Sequence, residues 1–108
     1  MRRGDIYATV GRGDFSGKPR PSLIVQSDAF NEHHPAIAVC PITTLRSGNG
    51  FFRVSVGADE RTNLRVDSEV EIDLIQAIRR ERFGRRIGTV TDDTLILVDD
   101  ALRRWLAL

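Results

Sequence analysis

The chain has 108 residues, of which 41 % are apolar and 29 % charged, and a formal net charge of +1. That length holds one domain with a modest core and is too short for two, and the composition argues against disorder. The near-neutral total gives no bulk-charge sign of a nucleic-acid binder, and a single cysteine excludes an internal disulfide.

Gly4-Asp5 opens a first strand in which Ile6, Ala8 and Val10 alternate with Tyr7 and Thr9. The next stretch, GRGDFSGKPRP, has three glycines and two prolines and reads as a mobile loop. Pro21 to Ser27 is a second strand, entered through the stiff basic corner Lys18-Pro19-Arg20-Pro21. DAFNEHH reads as a connection, and Ala36 to Thr43 as a third strand apolar enough to be central. Asn49-Gly50 signals a turn into a fourth strand, Phe51 to Val56, with Phe52, Val54 and Val56 on one face. Ser68 to Ile78 alternates through Val70, Ile72 and Leu74 as a fifth strand, and RRERFGRRIG breaks the pattern.

From Thr91 the period changes. Leu95, Val98, Leu102, Trp105 and Leu106 recur at helical steps, so Trp105 is expected in the core. Thr91 is the expected N-cap, Asp92 and Asp93 suit the first turn, and Arg103 and Arg104 suit the last. The expected fold is mainly β with helices (α+β): one domain over residues 1–108, a curved antiparallel sheet or partly open barrel with one C-terminal helix. No apolar run spans a bilayer and no signal peptide is evident, which with the lone Cys40 points to the reducing cytoplasm.

Few residues offer chemistry. His33 and His34 are adjacent and lack companions, so no metal is expected. There is no Gly-x-Ser-x-Gly elbow, and GRGDFSG has the wrong spacing for a phosphate loop. Cys40, in an apolar run, reads as a small buried hydrophobe. What remains is Arg20 at the entrance to the second strand and Thr43-Thr44 at the exit of the third. Antiparallel pairing of those strands brings Arg20 and Thr43 to one rim. A fixed guanidinium beside a hydroxyl suits a phosphoryl group gaining charge; a surface carboxylate paired with Arg20 is the bland alternative.

RRGDIYAT at Arg2 to Thr9, GKPRPSLIVQSD at Gly17 to Asp28 and VCPITT at Val39 to Thr44 resemble the three signature blocks of the MazF/PemK family. TNLRVDSEVEIDLIQAI and the C-terminal stretch from Arg79 resemble the family's later segments, so the likeness runs nearly the whole chain. It implies an SH3-like curved sheet, a homodimer, and the toxin of a type II toxin–antitoxin pair covered by its cognate antitoxin. It implies a metal-independent endoribonuclease that needs no cofactor and cuts single-stranded messenger RNA. The ribose 2′-hydroxyl attacks the adjacent phosphorus, leaving a 2′,3′-cyclic phosphate and a 5′-hydroxyl. The family's catalytic arginine and threonine fall on Arg20 and Thr43, and RNA contacts are expected from Lys18, Thr44, Phe15, Gln76 and Arg79. Arg79 stands where some relatives carry an aspartate, which leaves the general base unassigned among Asp73, Glu71 and Glu81. The cluster Arg79, Arg80, Arg82, Arg85 and Arg86 suits RNA backbone, an acidic antitoxin tail, or plain solvation. Two other functions fit the fold: a gyrase poison resembling CcdB, faintly suggested by the RRWLAL end, and a non-catalytic SH3-like binding module.

Overall fold

A computed structural model describes residues 1–10, 17–46 and 52–108. The expected glycine loop with Phe15, and the Asn49-Gly50 turn, lie outside the described residues. The elements are β1 (Asp5–Thr9), β2 (Arg20–Ile24), α1 (Asp28–Asn31), β3 (Ala36–Thr44), β4 (Arg53–Val56), β5 (Ser68–Glu71), β6 (Gln76–Arg79), β7 (Phe83–Thr89) and α2 (Asp92–Leu106). The strands form an open antiparallel sheet in the order β4-β5-β3-β2-β1-β7, with β6 also paired to β3. The expected curved antiparallel sheet with a C-terminal helix is thus what the chain adopts.

β3 is the hub. One edge pairs with β2; the other pairs with β6 through Ala36–Val39 and with β5 through Ile42–Thr44. Pro41, which has no N–H to donate, falls in the gap between those two partners, so no ladder bond is lost.

The pleat gives the sheet two different faces. On one, Ile6, Leu23, Cys40, Ile42 and Val70 pack with Val98, Ala101 and Leu102 of α2. On the other, Ile24, Ile37, Val39 and Ile78 form a smaller cluster flanked by Tyr7 and Phe83, whose rings meet edge-on at 6.0 Å. α2 has the expected ends. Thr91 Oγ1 accepts from the Thr94 N–H at 3.2 Å, and Ala107 closes the helix in the left-handed conformation at φ 59°.

Four expectations are corrected. The fifth strand, Ser68 to Ile78, is two strands, β5 and β6, separated by a 3-10 turn at Ile72–Leu74 that moves the chain along the edge of β3. The RRERFGRRIG break is a 3-10 turn at Arg80–Arg82 followed by β7, which pairs with β1. The DAFNEHH connection contains α1, capped by Ser27. Trp105 is 42 % exposed and packs edge-on against Phe52, because the sheet covers only the narrow stripe through Val98, Ala101 and Leu102.

Gly88 is required by close approach. A Cβ there would sit 2.3 Å from the Thr62 carbonyl oxygen and 2.5 Å from that of Arg61, both backbone atoms. The Thr89 N–H donates to the same Arg61 carbonyl, so the loop cannot retreat without losing a bond. Gly88→Ala is expected to destabilise the fold by about 2–4 kcal/mol, read as a lowered urea midpoint with unchanged slope.

Cys40 is fully buried, and burial pushes its thiol up to about 12. The native protein is therefore expected to resist iodoacetamide at pH 8 and to react at once in denaturant; equal rates in both would contradict the packing.

Candidate active site

Gly17 turns the chain at φ +65°, a conformation that glycine adopts without strain, and delivers Lys18-Pro19-Arg20 to the start of β2. Arg20 lies opposite Thr9 in the β1–β2 ladder. The β2–β3 ladder pairs Ser22 with Pro41; continued two residues, that register sets Arg20 against Thr43. Arg20, Thr9, Ser22 and Thr43 therefore share the face of the sheet that α2 leaves uncovered.

The backbone beneath Arg20 is fastened. Thr9 Oγ1 shares a 2.8 Å hydrogen bond with Ser22 Oγ and donates to the Arg20 carbonyl at 3.4 Å. Thr9 and Ser22 are 2 % and 3 % exposed, so this pair is dry and its geometry holds the strand start in place. The Arg20 side chain is exposed, and among the described residues no carboxylate pairs with it. Among the described residues, the bland alternative for Arg20, a surface ion pair, is not met.

Arg20, Thr43, Thr44 and Lys18 line one cavity of about 1030 Å³. Asn63 and Arg65 form another wall, and Glu81, Arg82, Phe83 and Arg85 a third. Among the described lining residues there are five cations, Lys18, Arg20, Arg65, Arg82 and Arg85, and one carboxylate, Glu81. A chain of net charge +1 thus concentrates positive charge in one concave place, where it draws in anions.

Two expected RNA contacts lie elsewhere. Gln76 pairs with Val39, on the same face of the sheet but about 13 Å along β3 from Thr43 at ~3.3 Å per residue. Arg79 pairs with Ala36 at the far end of β3, and neither residue lines the cavity. Phe15 is outside the described residues.

The arginine cluster divides by task. Arg80 reaches the carbonyls of Asn31 and His34 at 2.5 and 2.8 Å, and Arg86 pairs with Asp5 at 3.3 Å. Arg82 and Arg85 turn to the cavity. The candidate bases divide too. Glu71 and Asp73 are held by Arg53, at 2.5 and 3.6 Å, away from the cavity, whereas Glu81 lines it.

Sequence reading missed Thr9, Asn63 and Arg65. Asn63 sits at φ 56° and its Nδ2 donates to the Ile87 carbonyl at 3.1 Å. The loop before it is tied by Asp59, which accepts from the N–H groups of Thr62 and Arg61; those bonds hold its carboxyl below the usual carboxylate range. Only the polarity of Thr9 on an inward strand position was a signal in the sequence.

An open antiparallel sheet with one covering helix, and a cation-rich cavity where Arg20 and Thr43 meet, defines a small β-domain suited to an anionic ligand. Residues 2–106 match the family described as PemK-like, MazF-like toxin of type II toxin-antitoxin system, and the chain belongs to that family. It is 33 % identical over 108 residues to a probable endoribonuclease MazF of Mycolicibacterium smegmatis, covering 100 % of this chain and 98 % of that protein. It is 32 % identical over 116 residues to endoribonuclease MazF9 of Mycobacterium tuberculosis, with the same two coverages. A mycobacterial endoribonuclease solved with its cognate antitoxin superposes at a TM-score of 0.83 and 27 % identity, over 100 % of this chain and 96 % of that one. Toxin MazF-mt6 of Mycobacterium tuberculosis superposes at 0.82 and 27 % identity, over 96 % of this chain and 97 % of that one.

Proposed function

We propose that this chain is the toxin of a type II pair and a metal-independent endoribonuclease of single-stranded messenger RNA, with Arg20 and Thr43 as its catalytic residues. The observation that carries the reading is that these two side chains line one cation-rich cavity in a chain of this family. The nucleophile is the substrate's own ribose 2′-hydroxyl, so the protein has only to align it and stabilise charge. Attack on the adjacent phosphorus expels the 5′-oxygen and leaves a 2′,3′-cyclic phosphate. Arg20 stabilises the charge gathering on the phosphorane, and Thr43 donates to a non-bridging oxygen. Lys18, Arg65, Arg82 and Arg85 hold the flanking phosphates, and Thr44 extends the hydroxyl side of the cradle. DNA lacks the 2′-hydroxyl and is left intact.

The working form is a cytoplasmic homodimer whose groove is covered by an antitoxin. A relative solved with its cognate antitoxin supports that partnership. Trp105, Leu106 and Leu97, all more than a third exposed, supply apolar surface of the kind a second copy covers. A monomer at micromolar concentration in light scattering would remove the dimer.

The test is incubation of purified protein with a long RNA in EDTA, followed by mapping of the ends. Discrete cuts bearing 5′-hydroxyl and cyclic-phosphate ends are expected. Intact RNA together with trapped gyrase–DNA complexes would replace the reading with the poison, and inactivity in both assays with the binding module.

A further inference from the structure

The proposed ribonuclease needs a group to take the proton from the attacking 2′-hydroxyl, and an arginine is a poor base. We propose that Glu81 is that general base; the inference rests on the ribonuclease reading and adds to it the one group that reading leaves open.

Glu81 is the only carboxylate among the described residues that line the cavity. Its place relative to Arg20 follows from the sheet. Thr9 pairs with Arg20 on one side and with Phe83 on the other. With neighbouring strands ~4.8 Å apart, the Arg20 and Phe83 backbones are about 10 Å from each other, and Glu81 stands two residues before Phe83. An extended arginine and a glutamate reaching toward each other over such a gap leave room for one phosphodiester and its ribose.

The turn that carries Glu81 is anchored on both sides. Before it, the Arg80 N–H donates to the Pro35 carbonyl, and the Arg80 guanidinium grips the carbonyls of Asn31 and His34. After it, the Arg82 carbonyl accepts from the Val10 N–H at 3.0 Å, and Arg82 Nη1 donates to the Val10 carbonyl at 3.5 Å. The Phe83 N–H closes the turn on the Arg80 carbonyl. Contacts from the arginines on either side thus fix the backbone of an exposed acidic residue, which is the arrangement a positioned base requires.

In the step, the 2′-hydroxyl proton passes to the Glu81 carboxylate as the 2′-oxygen bonds to phosphorus. The phosphorus–5′-oxygen bond breaks, the departing 5′-oxygen takes a proton from water, and Glu81 returns its own to solvent. Charge and protons balance with no further reagent. The charged groups that share the cavity with Glu81 are cations: Lys18 and Arg20 from the β2 side, Arg65 from another wall, Arg82 and Arg85 from its own. No other carboxylate and no histidine is among the described lining residues; Glu69, opposite Thr43 on β5, is buried and does not line the cavity, so an acid limb of the rate profile that vanishes in the Glu81 variant reports this residue.

The experiment uses an oligonucleotide spanning a cut mapped with the wild type, and its counterpart with a single 2′-deoxyribose at that cut. Glu81→Gln is expected to slow single-turnover cleavage about 100-fold and to flatten the acid limb. It should bind the uncleavable counterpart within about twofold of wild type, as phosphate contacts are untouched. Glu81→Asp should restore part of the rate and the limb. A Glu81→Gln rate within about threefold of wild type with an unchanged profile, or a rate loss matched by an equal loss of binding, overturns the assignment. Those outcomes leave wild-type cleavage in place, so they are distinct from failure of the ribonuclease reading, in which the wild type itself leaves RNA intact.

Discussion

Arg20→Ala is expected to lower single-turnover RNA cleavage by about 1,000-fold or more, roughly 4 kcal/mol of transition-state stabilisation. The size follows from charge. A phosphorane carries more negative charge than the diester it comes from, and a guanidinium fixed beside it gains most at that moment. The fold should not suffer. The Arg20 side chain is exposed, its strand is held by the Thr9–Ser22 pair beneath it, and its removal leaves no carboxylate unpaired among the described residues. Wild-type denaturation midpoints together with lost cleavage are the expected combination. Arg20→Lys should recover little, since a point charge cannot present two parallel donors to phosphate. Cleavage retained within about tenfold in the alanine variant would move the chemistry away from the β2 entrance.

Thr43→Val is expected to cost about two to three orders of magnitude in the same assay, the effect of deleting one donor from a preorganised anion site. The substitution keeps the branched shape that suits β3, and Thr43 stays paired opposite Glu69 in the sheet, so stability should be nearly unchanged. Thr43→Ser, which retains the hydroxyl, should keep most of the rate. The pair of variants separates a donor from a packing role: a loss shared equally by valine and serine would make Thr43 a matter of shape alone.

Much of this was legible in the sequence, and the part that was not has identifiable causes. β1, β2 and β3 show themselves because one face is buried and alternation follows. The convergence of Arg20 and Thr43 needs only the inference that two consecutive strands pair antiparallel. β7 hid because it is exposed through Gly84, Arg85 and Arg86, so no alternation survives where a strand lies at the rim with little packed on either side. The division between β5 and β6 hid because Val70, Ile72 and Leu74 keep period two through a turn, and only the two-part edge of β3 reveals the break. Trp105 looked like core because helical spacing was read without knowing how wide a stripe the sheet covers. Asn63 and Arg65 reach the cavity through a tertiary tether, the carbonyls of Arg61 and Thr62 closing on Gly88, which no local pattern records.

The cavity's outer arginines sit on a loop, a 3-10 turn and an edge strand, apart from the layer beneath α2, and this placement has a consequence for how the site can vary. Under the proposed function, substitutions at the exposed Arg65, Arg82 or Arg85 would change the grip on the RNA backbone and its salt dependence while leaving the layer beneath the helix undisturbed, so affinity could be retuned at little cost to folding.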